Sequence, residues 1–131
     1  MSDNSVITRL RREALCNAAS KGSADSPVAP IARIAFVDGG VDGNGNHIPP
    51  IETQTALNNE IARYLIDAPP TYPVSTTARY VCTIPAADLP GASISEAALV
   101  DSNGALCAIK TMFVKRKDAG VTFTFTFHDV F

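Results

Sequence analysis

The chain has no tryptophan, only two histidines (His47 and His128), three cysteines and no apolar run of membrane-spanning length. Each shortage excludes something. A transmembrane helix needs roughly 20 consecutive apolar residues, so no membrane association is expected. Cys16, Cys82 and Cys107 are odd in number and lack Cys-x-x-Cys spacing, so zinc-binding and thioredoxin-like readings fail. The two histidines lie in separate segments, and neither has a Ser, Cys or carboxylate neighbour at a motif spacing. No nucleophile–base pair is therefore legible, and the chain is expected not to be an enzyme. No charge sign dominates: 11 basic and 13 acidic residues leave a net charge of −2, with the basic residues scattered. A nucleic-acid-binding groove is not expected. The start, MSDNSVITRLRREAL, has no uninterrupted apolar core and carries Arg9, Arg11 and Arg12. It does not read as a secretory signal, so synthesis and folding in a cytoplasm are expected.

What is present suits a globular chain. Apolar residues make up 46% and charged residues 18% of 131 positions, which predicts one domain with an ordinary hydrophobic core and no need for metal or disulfide staples. Cys82 and Cys107 fall in predicted strands and read as small buried hydrophobes, whereas Cys16 lies on a predicted helix. No cofactor and no metal site is expected.

The predicted fold class is α+β: two helices from the N-terminal half packed on an antiparallel β-sheet or small sandwich, in a single domain over residues 1–131. A helix is predicted over 5–20, within an N-terminal unit 1–22, because Val6, Ile7, Leu10, Ala14 and Ala18 recur at helical spacing. Asn4 or Ser5 would cap it and Gly22 would stop it. The unit 23–51 holds a linker, a strand at 31–37 (IARIAFV) and a Gly/Asn/Pro-rich loop. A second helix is predicted over 53–66, within 52–66, with Leu57, Ile61, Tyr64 and Leu65 on one face, and Pro69 and Pro70 end it. Antiparallel strands fill 74–131. ARYVCTI (78–84) alternates, Asp101-Ser102-Asn103-Gly104 marks a hairpin turn, and VTFTFTF (121–127) sets phenylalanines on one face and threonines on the other.

The motifs that carry chemistry elsewhere fail here on spacing. Asp42-Gly43-Asn44-Gly45-Asn46 places oxygen side chains at alternate positions, but His47 and Thr53 stand where an EF-hand loop needs Gly and Glu. Asp38-Gly39-Gly40-Val41-Asp42-Gly43 follows a strand without a GxGxxG pattern or a P-loop lysine. Lys115-Arg116-Lys117 reads as a solvated hairpin end. There is no internal repeat and no heptad or collagen-like stretch, so the chain is not expected to form a long fibre itself.

One further pattern is carried by IAFVDGG (34–40), ETQTALNNEIAR (52–63), IPAADLPGASISEAALVDSNGALCAIKTM (84–112) and the closing VTFTFTF, in that order. It resembles the N-terminal domain of bacteriophage tail-collar fibre proteins, over roughly residues 7–127. Val37 stands where that family has Gly before the Asp, Ala98 replaces a common Gly in the hairpin, and the first helix has extra arginines. The resemblance implies a structural virion protein of a contractile tail or related particle that attaches tail fibres to the baseplate. The expected partners are itself, as a homotrimer, together with baseplate or tail proteins and a tail fibre. Localisation in the virion tail is expected, with synthesis in the host bacterial cytoplasm. Only the virion-proximal module, without a fibre shaft, is recognised. Placement in the collar or neck, or a short receptor-binding tail protein, are the alternatives. The expected docking elements are the loop 38–51, the segment 68–76 and the polar face of the second helix. Their candidate residues are Asp38, Asp42, Asn44, Asn46, His47, Asn58, Asn59, Arg63, Pro69, Pro70 and Tyr72. Small residues, including Ala97 and Ala98, would allow close approach of subunits.

Overall fold

Ile31–Val37 forms a strand as its sequence predicts, and both of its faces are shielded from water. In the computed structural model, which describes residues 5–22, 24–38, 43–44, 46, 48–57 and 59–131 (Phe113 by its backbone alone), this strand is β2. The element order is β1 (Ser5–Ile7), α1 (Arg9–Lys21), β2 (Ile31–Val37), β3 (Glu60–Leu65), β4 (Thr71–Val74), β5 (Thr77–Ile84), β6 (Ala92–Asp101), β7 (Leu106–Lys117) and β8 (Phe123–Val130). The strands make two antiparallel sheets, a five-stranded one in the order β1-β7-β6-β2-β3 and a three-stranded one in the order β4-β5-β8.

The main core lies between the sheets. Ile34, Phe36, Ala97, Leu99 and Met112 from the larger sheet meet Tyr80, Cys82, Ile84, Phe125 and Phe127 from the smaller one. Phe36 is fully buried and packs against the rings of Tyr64, Phe123 and Phe125, with centroids 5.7 to 6.3 Å apart. On the far face of the larger sheet, Ala35, Ala98, Val100, Leu106 and Ile109 form a second cluster, with Val6 and Leu57 against it. That two-sided burial explains why β2 and β6 read as nearly unbroken apolar runs. It also places Ala97 and Ala98 fully inside a central strand, so they are core residues and not a surface for subunit approach.

The expected α+β arrangement of two helices on a sheet is overturned: the fold is mostly β, with two sheets and, among the described residues, one helix. The segment predicted as the second helix runs as turns and bends and then becomes β3, paired to β2. Its helical spacing has a specific origin. Phe36 pairs with Ala62 and Val37 with Glu60, so Ile61 is an extra residue in the ladder, a β-bulge. The bulge lets Ile61 and Tyr64, three residues apart, both pack on the main core, which mimics the i,i+3 stripe of a helix.

The first helix is shorter than predicted. Ser5–Ile7 pairs with β7 as β1, and the helix starts after Thr8. Thr8, not Asn4 or Ser5, is the cap. It is fully buried; its hydroxyl donates to the Leu106 carbonyl at 2.7 Å and accepts from the Arg11 N–H. Gly22 ends α1 as expected, at φ +88°, with its N–H on the Ala18 carbonyl. No residue of α1 is fully buried, and the predicted apolar stripe is split: Val6 and Ile7 belong to β1, where Val6 packs on the second cluster, Ala14 and Ala18 are half-buried, and Leu10 is 46% exposed.

Of the strand readings near the C-terminus, the strand at 78–84 and the hairpin turn hold, while the last strand is displaced: β8 is Phe123–Val130, and Val121, expected on its aromatic face, lies outside it and is exposed. Asp101 Oδ1 accepts from the N–H groups of Asn103 and Ala105, and Gly104 at φ +89° closes the β6–β7 turn. Phe125 and Phe127 face the core from β8, with Thr124 and Thr126 exposed. The basic run is not wholly solvated: Lys117 is 1% exposed, and its ammonium donates to the carbonyls of Ala86 and Asp118.

Truncating a fully buried aromatic at the meeting point of two sheets removes transfer energy and leaves a cavity. Phe36→Ala is expected to cost about 3–5 kcal/mol, and Phe36→Leu distinctly less. Urea unfolding with an unchanged slope measures both. Equal losses for the two variants would show that the ring cluster does not carry this energy.

Candidate docking surface

The candidate residues divide between opposite ends of β3. Asp38, directly after β2, and Asn59, directly before β3, are joined: the Asp38 N–H donates to the Asn59 carbonyl, and the Asn59 amide donates to the Asp38 carboxylate. Arg63, in the second half of β3, forms a two-toothed ion pair with Glu60 at 2.6 and 3.1 Å and, toward the opposite end of the strand, donates to the Gly104 carbonyl at 3.2 Å. It thereby ties the edge of the larger sheet to the β6–β7 turn. Asn44 and Asn46 are exposed. Asp42, His47 and Asn58 lie outside the described residues.

Pro69, Pro70 and Tyr72 sit past the other end of β3, on the approach to β4 and on β4 itself. Six residues of strand span about 20 Å, so the two groups do not form one patch. The expected polar face of a second helix does not exist. Asn59 and Arg63 are presented by a loop end and a strand.

Contacts that the sequence reading missed stitch the molecule together. Glu52, read as a residue near a helix start, lies in a turn and accepts from Arg9 at 2.6 Å and Arg12 at 2.5 Å, while the Arg9 N–H donates to the Glu52 carbonyl. The hydrogen bond from Arg9, with charge attraction from Arg9 and Arg12, holds the Glu52 carboxyl below the usual range. Arg9, Arg12, Glu13, Cys16 and Glu52 line an open hollow of about 350 Å³. Arg11 donates to the Ala29 carbonyl at 2.7 Å and lies within electrostatic reach of Tyr80, Cys107 and Asp129. Burial raises the Asp129 carboxyl, and Arg11 partly opposes it. Tyr64 donates to Asp88 at 3.0 Å, and burial, with that bond, pushes its phenol up to about 12. Asp67 accepts from both the N–H and the hydroxyl of Thr83. The pairing of positions 9 and 12 with 52 had no sequence signal, because it spans a loop whose path is set by the fold.

Glu96 is fully buried in β6, opposite Val37 on one side and Thr111 on the other. A lone Glu in the apolar run ISEAALV was the available signal for it. Among the described residues, no group of three or more His, Cys, Asp and Glu side chains is placed to hold a metal ion, and no helix is long and apolar enough to cross a membrane.

Comparison of the chain with protein-family models, with curated proteins and with solved structures returns no match. The resemblance to tail-collar fibre domains therefore rests on the quoted segments themselves.

Two measurements check the electrostatics. Because the Glu52 carboxyl is depressed below its ordinary 4.5, its share of stability is present above that value and is lost as pH falls through the folded-state value. A carboxyl titration by NMR should show Glu52 titrating low in the native chain and returning toward 4.5 in Arg9→Ala/Arg12→Ala; an unchanged midpoint would contradict the contact. The thiols should separate by burial. Cys82, raised to about 12, and Cys107, raised to about 11, are buried, whereas Cys16 is exposed. A thiol reagent at pH 8 is expected to modify one thiol quickly and the other two only on unfolding.

Proposed function

We propose that the chain is a structural component of a contractile phage tail or a related particle, acting where a tail fibre joins the baseplate. The observation that carries this reading is the ordered set of segments IAFVDGG, ETQTALNNEIAR, IPAADLPGASISEAALVDSNGALCAIKTM and VTFTFTF, which resembles the attachment domain of tail-collar fibre proteins across nearly the whole chain. The quoted segments occupy distinct places in the fold. The motif AALVDSNGALCAI folds as the β6–β7 hairpin at the centre of the larger sheet. The VDGG motif begins at Val37, the last residue of β2, a strand buried on both faces. ETQT lies in the turns anchored to α1 by the Arg9–Glu52–Arg12 contacts. A connector needs such a body: a rigid sheet pair that offers irregular, polar segments to its neighbours.

Cryo-electron microscopy of intact particles tests the proposal directly. Density for the chain at the fibre-bearing end of the tail, in contact with a fibre, is the expected result. Density at the neck would reassign it to collar assembly, and absence from the particle would overturn the structural reading altogether.

A further inference from the structure

We propose that β8 is an interface strand, through which two copies of this chain pair edge to edge, antiparallel, along Phe123–Phe127. The inference rests on the four sheet edges, of which three carry devices that block strand addition. β1 has only three residues. β3 carries Glu60 and Arg63 and is bent by the Ile61 bulge. β4 has four residues and includes Pro73. β8 differs on every count. It runs for eight residues without Lys, Arg, Glu or Pro, and its ladder to β5 is continuous from Ile84–Phe123 to Thr77–Val130.

The two flanks of the smaller sheet are also unequal. On the β5 side, the Asp67 N–H donates to the Val81 carbonyl, and the Asp67 carboxylate binds Thr83, so the end of β3 is stitched across. On the outer side of β8, among the described residues, no strand pairs with it. A small cavity of about 90 Å³ lies between residues 127–130 of β8 and Ser5, Ile7 and Lys110, and Asp129 points inward there. The segment Ser5–Ile7 thus approaches the C-terminal end of β8, and among the described residues no strand is hydrogen-bonded along Phe123–Phe127 on its outer side.

That stretch is self-complementary. A twofold axis perpendicular to the sheet keeps inward side chains inward, so paired residues must share a face. With Phe125 on the axis, Phe123 lies opposite Phe127 of the second copy and Thr124 opposite Thr126 of the second copy. Phenylalanines, of which Phe125 and Phe127 are already buried within each copy, would face one another on the core side and threonine pairs would line the other, both favourable across strands. No charged side chain lies in the paired stretch, so nothing repels the second copy. The result is one continuous six-stranded sheet, β4-β5-β8 followed by its symmetry mate. This contact has twofold symmetry and does not depend on the attachment function proposed above. It also differs from the threefold assembly that the family resemblance implies.

Sedimentation analysis of the full chain tests it. The expected mass is twice 13.8 kDa, and a monomer or trimer would overturn the proposal. Thr124 and Thr126 are exposed, so Thr124→Lys/Thr126→Lys and Thr124→Glu/Thr126→Glu should fold, as their unfolding midpoints will report. Each variant alone faces like charges across the twofold axis and should be monomeric. Mixed, they pair Lys with Glu at both positions and should recover a mixed dimer. A dimer that persists in either variant alone would overturn the assignment. Should the variants fail to fold, hydrogen exchange on the native chain decides: protection that grows with concentration along Phe123–Phe127 supports the interface, and its absence there refutes it.

Discussion

Phe36 packs its ring against Tyr64 on the neighbouring strand and against Phe123 and Phe125 on the opposing sheet. Most of the architecture can be read as the set of conditions that keep that ring dry. β2 must lie inside the larger sheet, so it is flanked by β3 and β6. The three-stranded sheet must present an aromatic face, which β8 supplies by strict alternation. Ring pairs in tilted and edge-on geometry add to the area term, so the contact both stabilises and orients the two sheets. The Ile61 bulge belongs to the same arrangement, because it brings Ile61 onto the core side that Tyr64 already occupies.

The N-terminal segment is held by a different kind of force. No residue of α1 is fully buried. It is fixed by the buried hydroxyl of Thr8, by Arg11 on the Ala29 carbonyl, and by the pair of arginines on Glu52. Exposed ion pairs are worth little individually, whereas Thr8 bonds to the body in a site closed to water. The helix is thus anchored firmly at its first turn and loosely along its length. Few buried apolar contacts mark an element that opens before the rest of a fold. The same geometry places Cys16 on an exposed surface, apart from the two thiols that burial renders unreactive at neutral pH.

Function, on this reading, is a matter of surfaces. The residues expected to dock a neighbour fall into two groups at opposite ends of β3, one organised by Asp38 and Asn59 and the other by the proline-bearing approach to β4, while Arg63 between them is tied to the β6–β7 turn. Two separate surfaces, one polar and one built on Pro69, Pro70 and Tyr72, would suit the proposed place between two neighbours. The unprotected edge of β8 offers a third kind of contact, made by backbone pairing, whose specificity comes from register.

Local pattern was enough to fix several parts of this molecule. The apolar run of Ile31–Val37, the Asp-Ser-Asn-Gly turn and the alternation of VTFTFTF each encode one outcome, because side-chain period and turn chemistry act within a few residues. The burial of Cys82 and Cys107 was legible for the same reason. Of the candidate surface, the exposure of Asp38, Asn44, Asn46, Asn59 and Tyr72 was legible from composition, but their separation was not. Three matters were decided only by tertiary structure. Residues 53–66 carry a helical spacing, yet β2 has an open edge whose hydrogen-bonding groups need partners, and a bulged strand satisfies them while burying Ile61 and Tyr64. Residues 5–7 leave the helical pattern because β7 offers them a ladder. Lys117 leaves solvent because two backbone carbonyls stand where its ammonium can reach them. In each case the competing partner lies far away in sequence, and no local period records it.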